Sequence, residues 1–174
     1  MRIVAGELGG RRIAAARGGA VRPTTDRVRE AVFSILGDVG GADVLDLFAG
    51  TGAVALEALS RGAAAATLVD TETTTAEANV AALAAADRCR VVGEDAIRFL
   101  RRDRGTYDIA YCDPPYRLAR RLVPDLEQLL PDRIRPGGRV IVESAADDPV
   151  ELGLPLLDAR RYGGTAIRIH GVGR

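Results

Sequence analysis

Asp113-Pro114-Pro115-Tyr116 closes the run Tyr107 to Cys112, which reads as a buried strand. Two prolines directly after a strand end it, because neither can donate an N–H and each forces the residue before it out of the helical region. The product is a stiff, extended corner. It aims the Asp113 carboxylate and the carbonyls of Asp113 and Pro114 outward, with the flat ring of Tyr116 beside them. Acceptors next to an aromatic face suit an amino group carried on a planar heterocycle; the alternative is a plain surface turn with an exposed tyrosine. A second stretch, Ala49-Gly50-Thr51-Gly52-Ala53, follows the strand Asp43 to Phe48 and opens a helix that reaches about Arg61. Glycines there let a ligand approach the backbone, and a helix start offers free N–H groups and partial positive charge. Asp70 ends the next strand, Thr67 to Val69, at close to the usual spacing for an acid that binds a ribose hydroxyl pair.

These groups need a scaffold that brings strand ends together. A third strand, Cys89 to Val92, stops at Gly93-Glu94-Asp95, which places Asp95 at its carboxyl end, either against a ligand or as an ordinary helix cap. Helices are predicted over Thr73 to Ala86, Ala96 to Arg102 and Arg117 to Leu130, and Pro136-Gly137-Gly138 turns the chain into a fifth strand, Arg139 to Glu143. Leu154 to Tyr162 and Thr165 to His170, separated by Gly163-Gly164, read as a closing hairpin. Strands alternating with helices predict an α/β fold: a mostly parallel sheet, helices on both faces, one antiparallel strand at an edge. Ligands bind such sheets at the carboxyl ends of strands, where strand order reverses. If the first and fourth strands are neighbours there, the Gly50 loop and the Asp113 corner face one crevice. Asp46, near the end of the first strand, then either holds the glycine loop or touches the ligand. His170, in the last strand, lies away from that crevice.

The 174 residues are expected to form one domain, with an amino-terminal extension over 1–20 and a core over 21–174. Arg2-Ile3-Val4-Ala5-Gly6 and Arg11-Arg12-Ile13 flank Gly9-Gly10 and read as a small basic β-hairpin. Pro23-Thr24-Thr25-Asp26 opens a helix whose Val28, Val32, Ile35 and Leu36 recur at helical spacing until Gly37. Basic and acidic residues balance at 24 each, so bulk charge points to neither nucleic acid nor membrane. Residues 1–30 nevertheless carry seven arginines against three acids, which suggests a polyanionic partner for this end of the chain. Arg22, Arg27 and Arg29 lie on or before the first turn of that helix and would meet phosphates or water. No apolar run approaches a membrane span. Cys89 and Cys112 have no metal-ligand spacing and read as reduced core thiols of a cytoplasmic protein.

Asp46-Leu47-Phe48-Ala49-Gly50-Thr51-Gly52, Asp70, Asp95 and Asp113-Pro114-Pro115-Tyr116 together resemble the motifs of class I S-adenosyl-L-methionine-dependent methyltransferases. More narrowly, Arg2-Ile3-Val4-Ala5-Gly6, the block Arg22 to Glu30, Leu56 to Ala63 and Arg161-Tyr162-Gly163 resemble the bacterial 16S rRNA guanine-N2 methyltransferase family. That resemblance spans nearly the whole chain. It implies a Rossmann-like fold with a seven-stranded sheet, and methylation of a loop guanine, guanine 966, in 16S rRNA or the small subunit by a monomeric, metal-free enzyme. It also implies site residues: Asp113, Pro114, Pro115 and Tyr116 as catalytic, with Asp46, Phe48, Ala49, Gly50, Thr51, Gly52, Asp70, Asp95 and Ala96 at the cofactor. Arg2, Arg11, Arg12, Arg22, Arg27 and Arg29 would contact RNA. Glu7, Leu8 and Gly164 depart from the family pattern at positions that bear on RNA contact. A nicotinamide oxidoreductase would explain the glycine loop and Asp70 but not the Asp113 corner. An adenine-N6 DNA methyltransferase would share that corner, and a non-catalytic assembly factor would share the basic end.

Overall fold

Five strands carry runs of apolar residues because both faces of the sheet they build are covered by helices. The computed structural model describes residues 1–15 and 25–173, so Arg22 and the Pro23-Thr24 pair lie outside the described residues. From the amino end the elements are α1 (Asp26–Leu36), β1 (Asp43–Leu47), α2 (Ala53–Ser60), β2 (Ala65–Asp70), α3 (Thr74–Ala82) and β3 (Cys89–Gly93). They continue with α4 (Ala96–Arg102), β4 (Tyr107–Cys112), α5 (Tyr116–Leu129), β5 (Ile134–Ala145), β6 (Leu156–Tyr162) and β7 (Thr165–Gly171). The sheet runs β3-β2-β1-β4-β5-β7-β6, and β1 through β5 are mutually parallel. Chain order reverses between β1 and β4, which are therefore neighbours.

Strand periodicity sorts the side chains into two layers. Val44 and Ile109 face α1, α2 and α3, whereas Leu45, Leu47, Ala110 and Cys112 face α4 and α5. Helix starts follow local chemistry: Thr25 caps α1 by accepting from the Val28 N–H at 3.3 Å, and Asp95 caps α4 by accepting from Arg98 N–H at 2.9 Å.

Four expectations change. β7 is the antiparallel strand but lies one place in from the edge, bonded to both β5 and β6, and β6 is outermost. β5 is longer than Arg139–Glu143 because Pro136-Gly137-Gly138 is absorbed within it as an irregularity, with the register shifting opposite Tyr107 and Ile109. α3 stops at Ala82 because Ala84 turns left-handed (φ 55°) and the Arg11 guanidinium donates to the carbonyls of Ala82 (2.5 Å) and Leu83 (3.4 Å).

Among the described residues the amino-terminal segment makes one isolated antiparallel bridge, Arg2 to Arg12, instead of two regular strands. The Ile3 and Ile13 N–H groups still bond across the segment, to the carbonyls of Arg11 (3.0 Å) and Met1 (3.2 Å), but others turn to α2. Val4 and Ala5 donate to the two carboxylate oxygens of Glu57 on α2 at 2.7 and 3.0 Å, and Leu8 donates to the Ser60 hydroxyl at 2.9 Å. Gly6 (φ 82°) passes so close to α2 that a Cβ there would sit 1.8 Å from the Ser60 carbonyl oxygen. The segment is thus an arm laid on α2.

Candidate active site

The register across the sheet decides which residues meet. Val92, Val69, Leu47, Cys112 and Val142 form one row across β3, β2, β1, β4 and β5. One residue further along each parallel strand therefore come Gly93, Asp70, Phe48, Asp113 and Glu143, side by side at the carboxyl edge. The Asp113 N–H still reaches the Leu47 carbonyl at 3.4 Å, so the corner and the glycine loop leave the sheet together.

That loop is tightly specified. Phe48 takes a left-handed backbone (φ 61°), a conformation costing a non-glycine residue about 1–2 kcal/mol, and so turns the chain sharply off β1. Ala49 N–H bonds the Val69 carbonyl at 3.1 Å, and Gly50 N–H donates to the Asp70 carboxylate at 2.8 Å. Gly50 (φ 53°) faces open space where a Cβ would stand, whereas a Cβ on Gly52 (φ 74°) would lie 2.6 Å from a Leu68 methyl. The first glycine leaves room above the loop; the second lets α2 pack on β2. Thr51 is buried, and its carbonyl accepts from the side chain of Asn79 at 2.9 Å. Asn79, buried on α3, also exchanges two bonds with the backbone of Ala14, at 2.7 and 3.1 Å, so it ties the arm to the glycine loop.

Acids line the same edge. Asp70 also accepts from Glu72 N–H at 3.0 Å, and Asp95, two residues beyond β3, carries the α4 cap with Ala96 buried behind it. Asp113 is half-buried and Pro114 buried, while Pro115 and Tyr116 are exposed, the tyrosine at 43%. The Pro115 carbonyl accepts the Leu118 N–H at 2.7 Å and so starts α5. One layer beneath, Asp46 and Tyr111 are register partners, and the Tyr111 hydroxyl donates to Glu143 at 2.5 Å in a buried pair. The Asp46 carboxylate accepts the Ala55 N–H at 3.1 Å and holds the first turn of α2 from below.

Burial, reinforced by the charges of Asp70 and Glu143, pushes the Asp46 carboxyl up to about 8 from its ordinary 3.8, against the lowering effect of the Ala55 bond. The folded protein therefore binds this proton more tightly than the unfolded chain. Stability from this group is full below about pH 4 and is lost as the pH rises toward about 8. Asp46→Asn, which keeps an oxygen for Ala55, is expected to flatten that decline relative to the wild-type protein. Urea titrations of both proteins at about pH 5 and about pH 8 test this, and parallel stability curves would show that Asp46 is ionised throughout. Both cysteines are free, and burial raises both thiols, Cys89 to about 11, so neither is a thiolate nucleophile near neutral pH. His170 is buried among structural bonds: it accepts from Leu152 N–H at 3.4 Å through Nε2, with Nδ1 3.1 Å from the Leu154 carbonyl.

The sequence profile of the family described as conserved hypothetical protein 95 matches residues 1–171. The ribosomal RNA small subunit methyltransferase D of Escherichia coli is 39% identical over 164 residues, covering 91% of this chain and 80% of that protein. The chain belongs to that methyltransferase family. An E. coli structure assigned to the methyltransferases superposes with a TM-score of 0.86 at 35% identity, covering 99% of this chain and 98% of the other. The fold alone is shared with an RNA methyltransferase from Salinibacter ruber in complex with S-adenosyl-L-homocysteine, at 16% identity and a TM-score of 0.67 over 88% and 95% of the two chains.

Of the five arginines expected at RNA that lie among the described residues, two are used within the protein's own structure. Arg29 is 1% exposed; its guanidinium bonds Glu57 at 3.3 Å, Asp26 at 3.0 Å and the Arg2 carbonyl, so it does not reach a phosphate. Arg11 is occupied at the end of α3. Arg2, Arg12 and Arg27 are exposed. The family-like blocks around Arg2, Arg29 and Leu56–Ala63 thus meet in one network, completed by Arg61, which bonds Glu57 at 2.8 Å and lies 5.0 Å over the Phe33 ring. Sequence reading passed over Glu57, Asn79, Tyr111 and Glu143. For Glu57 and Glu143 the signal was a lone polar residue in an apolar stretch, Val54 to Leu59 and Val140 to Glu143.

Proposed function

We propose that this protein transfers a methyl group from S-adenosyl-L-methionine to the exocyclic N2 amine of one guanine, guanine 966, of 16S rRNA in the cytoplasm. The observation that carries the reading is the register placing Asp70, the Phe48–Gly52 turn and Asp113 side by side at the carboxyl edge of adjacent strands. The residues present fit the cofactor. Gly50 leaves open space above its Cα, and the charges of Asp70 and Glu143 make a negative field suited to a ligand bearing sulfonium and ammonium charges. When bound, the sulfonium supplies an already activated methyl group with a neutral thioether as leaving group.

What the chain adds is alignment, which in near-attack geometry is worth about 7–11 kcal/mol. Asp70 and Asp95 would hold the cofactor's ribose and adenine, and the Gly50 turn its amino-acid end. A guanine N2 carries a lone pair delocalised into the ring. The Asp113 carboxylate and Pro114 carbonyl would accept its two hydrogens, turn the lone pair toward the methyl carbon and stabilise the positive charge that develops on nitrogen. The nitrogen becomes acidic as it is methylated, so its proton can leave without a strong base. Tyr116, exposed beside the corner, would stack on the base. N2 is hidden within a paired stem, which favours a loop or flipped nucleotide.

The test is transfer of labelled methyl from S-adenosyl-L-methionine to unmethylated 16S rRNA and to small subunits, with product nucleosides identified by mass spectrometry. N2-methylguanosine is expected. N6-methyladenosine would replace the target, and no transfer to either form would overturn the reading.

A further inference from the structure

We infer that the exposed face of the first two turns of α5 is a second RNA-contact surface, on which Arg117 and Arg121 meet backbone phosphates flanking the target nucleotide and Leu118 packs against its neighbours. This inference rests on the reading of the protein as an rRNA methyltransferase and adds a surface to it.

Position comes first. α5 begins at Tyr116, the last residue of the Asp113 corner, so Arg117 is one residue from the proposed stacking ring and Arg121 one turn further. Nucleic acid that places a base at the corner must run past this helix or past the arm. Charge comes second. Tyr116 to Pro124 contains Arg117, Arg120 and Arg121 and no acid. Arg120 is paired with Asp148, but among the described residues Arg117 and Arg121 are exposed and have no carboxylate partner. On the adjacent α4 the arginines are spoken for: Arg98 and Arg102 pair with Glu94, and Arg101 with Asp125. Unneutralised guanidiniums are therefore concentrated beside the corner. At an i, i+4 spacing they share one helix face with Cβ atoms about 5–6 Å apart, presenting two planar forks to neighbouring phosphates.

Apolar exposure comes third. Leu118, one turn before Arg121 on the helix surface, is 42% exposed, and Tyr116 at the helix start is 43% exposed. An aromatic ring, a leucine and two free guanidiniums offer a polynucleotide both stacking area and charge. The burial of Arg29 and the use of Arg11 at α3 also shift the phosphate contacts away from two of the residues nominated by sequence.

The double variant Arg117→Gln/Arg121→Gln tests this in the full-length chain. Its kcat/KM for 16S rRNA at moderate salt is expected to fall about 10-fold or more, and the slope of log affinity against log salt to shrink by about 1.4 to 1.8, two phosphate contacts' worth. Affinity for S-adenosyl-L-methionine and Tm should stay at wild-type values. Arg104→Gln, at the opposite edge of the sheet, is the control and should leave the salt slope unchanged. An unaltered slope and kcat/KM in the double variant, with an active wild-type enzyme, would overturn the α5 surface alone. A double variant that loses cofactor affinity or Tm would also overturn it, by showing that these arginines serve the fold. Failure of the wild-type protein to methylate 16S rRNA would instead remove the reading on which the surface rests.

Discussion

Asp113→Ala is expected to lower methyl transfer by about 10²- to 10³-fold, the usual consequence of removing one preorganised group aimed at developing charge. Cofactor affinity should change little, because Asp113 leaves β4 next to the glycine loop and on the far side of it from Asp70 and Asp95. The decisive comparison is with Asp113→Asn. On the proposed reading, asparagine keeps one oxygen acceptor but brings two N–H donors to a place where amine hydrogens would be accepted, and it removes the negative charge opposite the nitrogen. It should retain more activity than alanine and less than the wild-type enzyme. Single-turnover rates with saturating rRNA, alongside calorimetric cofactor titration and Tm, separate this from loss of binding or folding. Equal single-turnover rates for all three proteins would mean that alignment by the Pro114 carbonyl and the stacking face suffices, and the role given to Asp113 would be wrong.

The corner itself was legible because its chemistry is local. Two prolines stop a strand wherever they occur, and β4 and α4 have the bounds expected, since Pro114 ends one and the Asp95 cap begins the other. The β1–β4 adjacency followed from alternation of strands and helices, and the register then brought the two informative stretches together. What sequence did not show is what residue type leaves open. An arginine declares a charge but not its destination, and Arg29 went inside because Glu57, 28 residues away, was there to receive it. The end of α3 depended on Arg11 reaching from the arm, a contact invisible to helix propensity. The order of the last two strands was open to a closer look at polarity. β6 carries Asp158, Arg160 and Arg161 on a strand exposed for most of its length, as an edge demands, whereas β7 is buried on both faces through Ala166, Ile167 and Ile169.

Glu57→Ala should be the most damaging change to the fold. Glu57 is fully buried, and its two oxygens accept from Val4, Ala5, Arg29 and Arg61. Removing it leaves the buried Arg29 guanidinium without its principal counter-charge and strips two backbone N–H groups of their acceptor. Breaking a buried ion pair from one side costs about 3–5 kcal/mol, which for a chain of this size lowers Tm by roughly 10 °C. The double variant Arg29→Met/Glu57→Leu should recover part of that loss, because no charge is then stranded in the core. Recovery should be incomplete, since Val4 and Ala5 still lack an acceptor, and amide exchange at these two residues should be fast in both variants. The arm is also tied through Ala14 and Asn79 to the Thr51 carbonyl in the glycine loop. Loss of the Glu57 anchor should therefore raise the KM for rRNA and weaken cofactor binding together, where a change confined to the RNA surface would move only the first. A Glu57→Ala protein within about 1 kcal/mol of wild-type stability in urea, with Val4 and Ala5 still protected, would show that the arm is held by its apolar contacts, chiefly Ile3 and Ile13, and that the ion network is incidental.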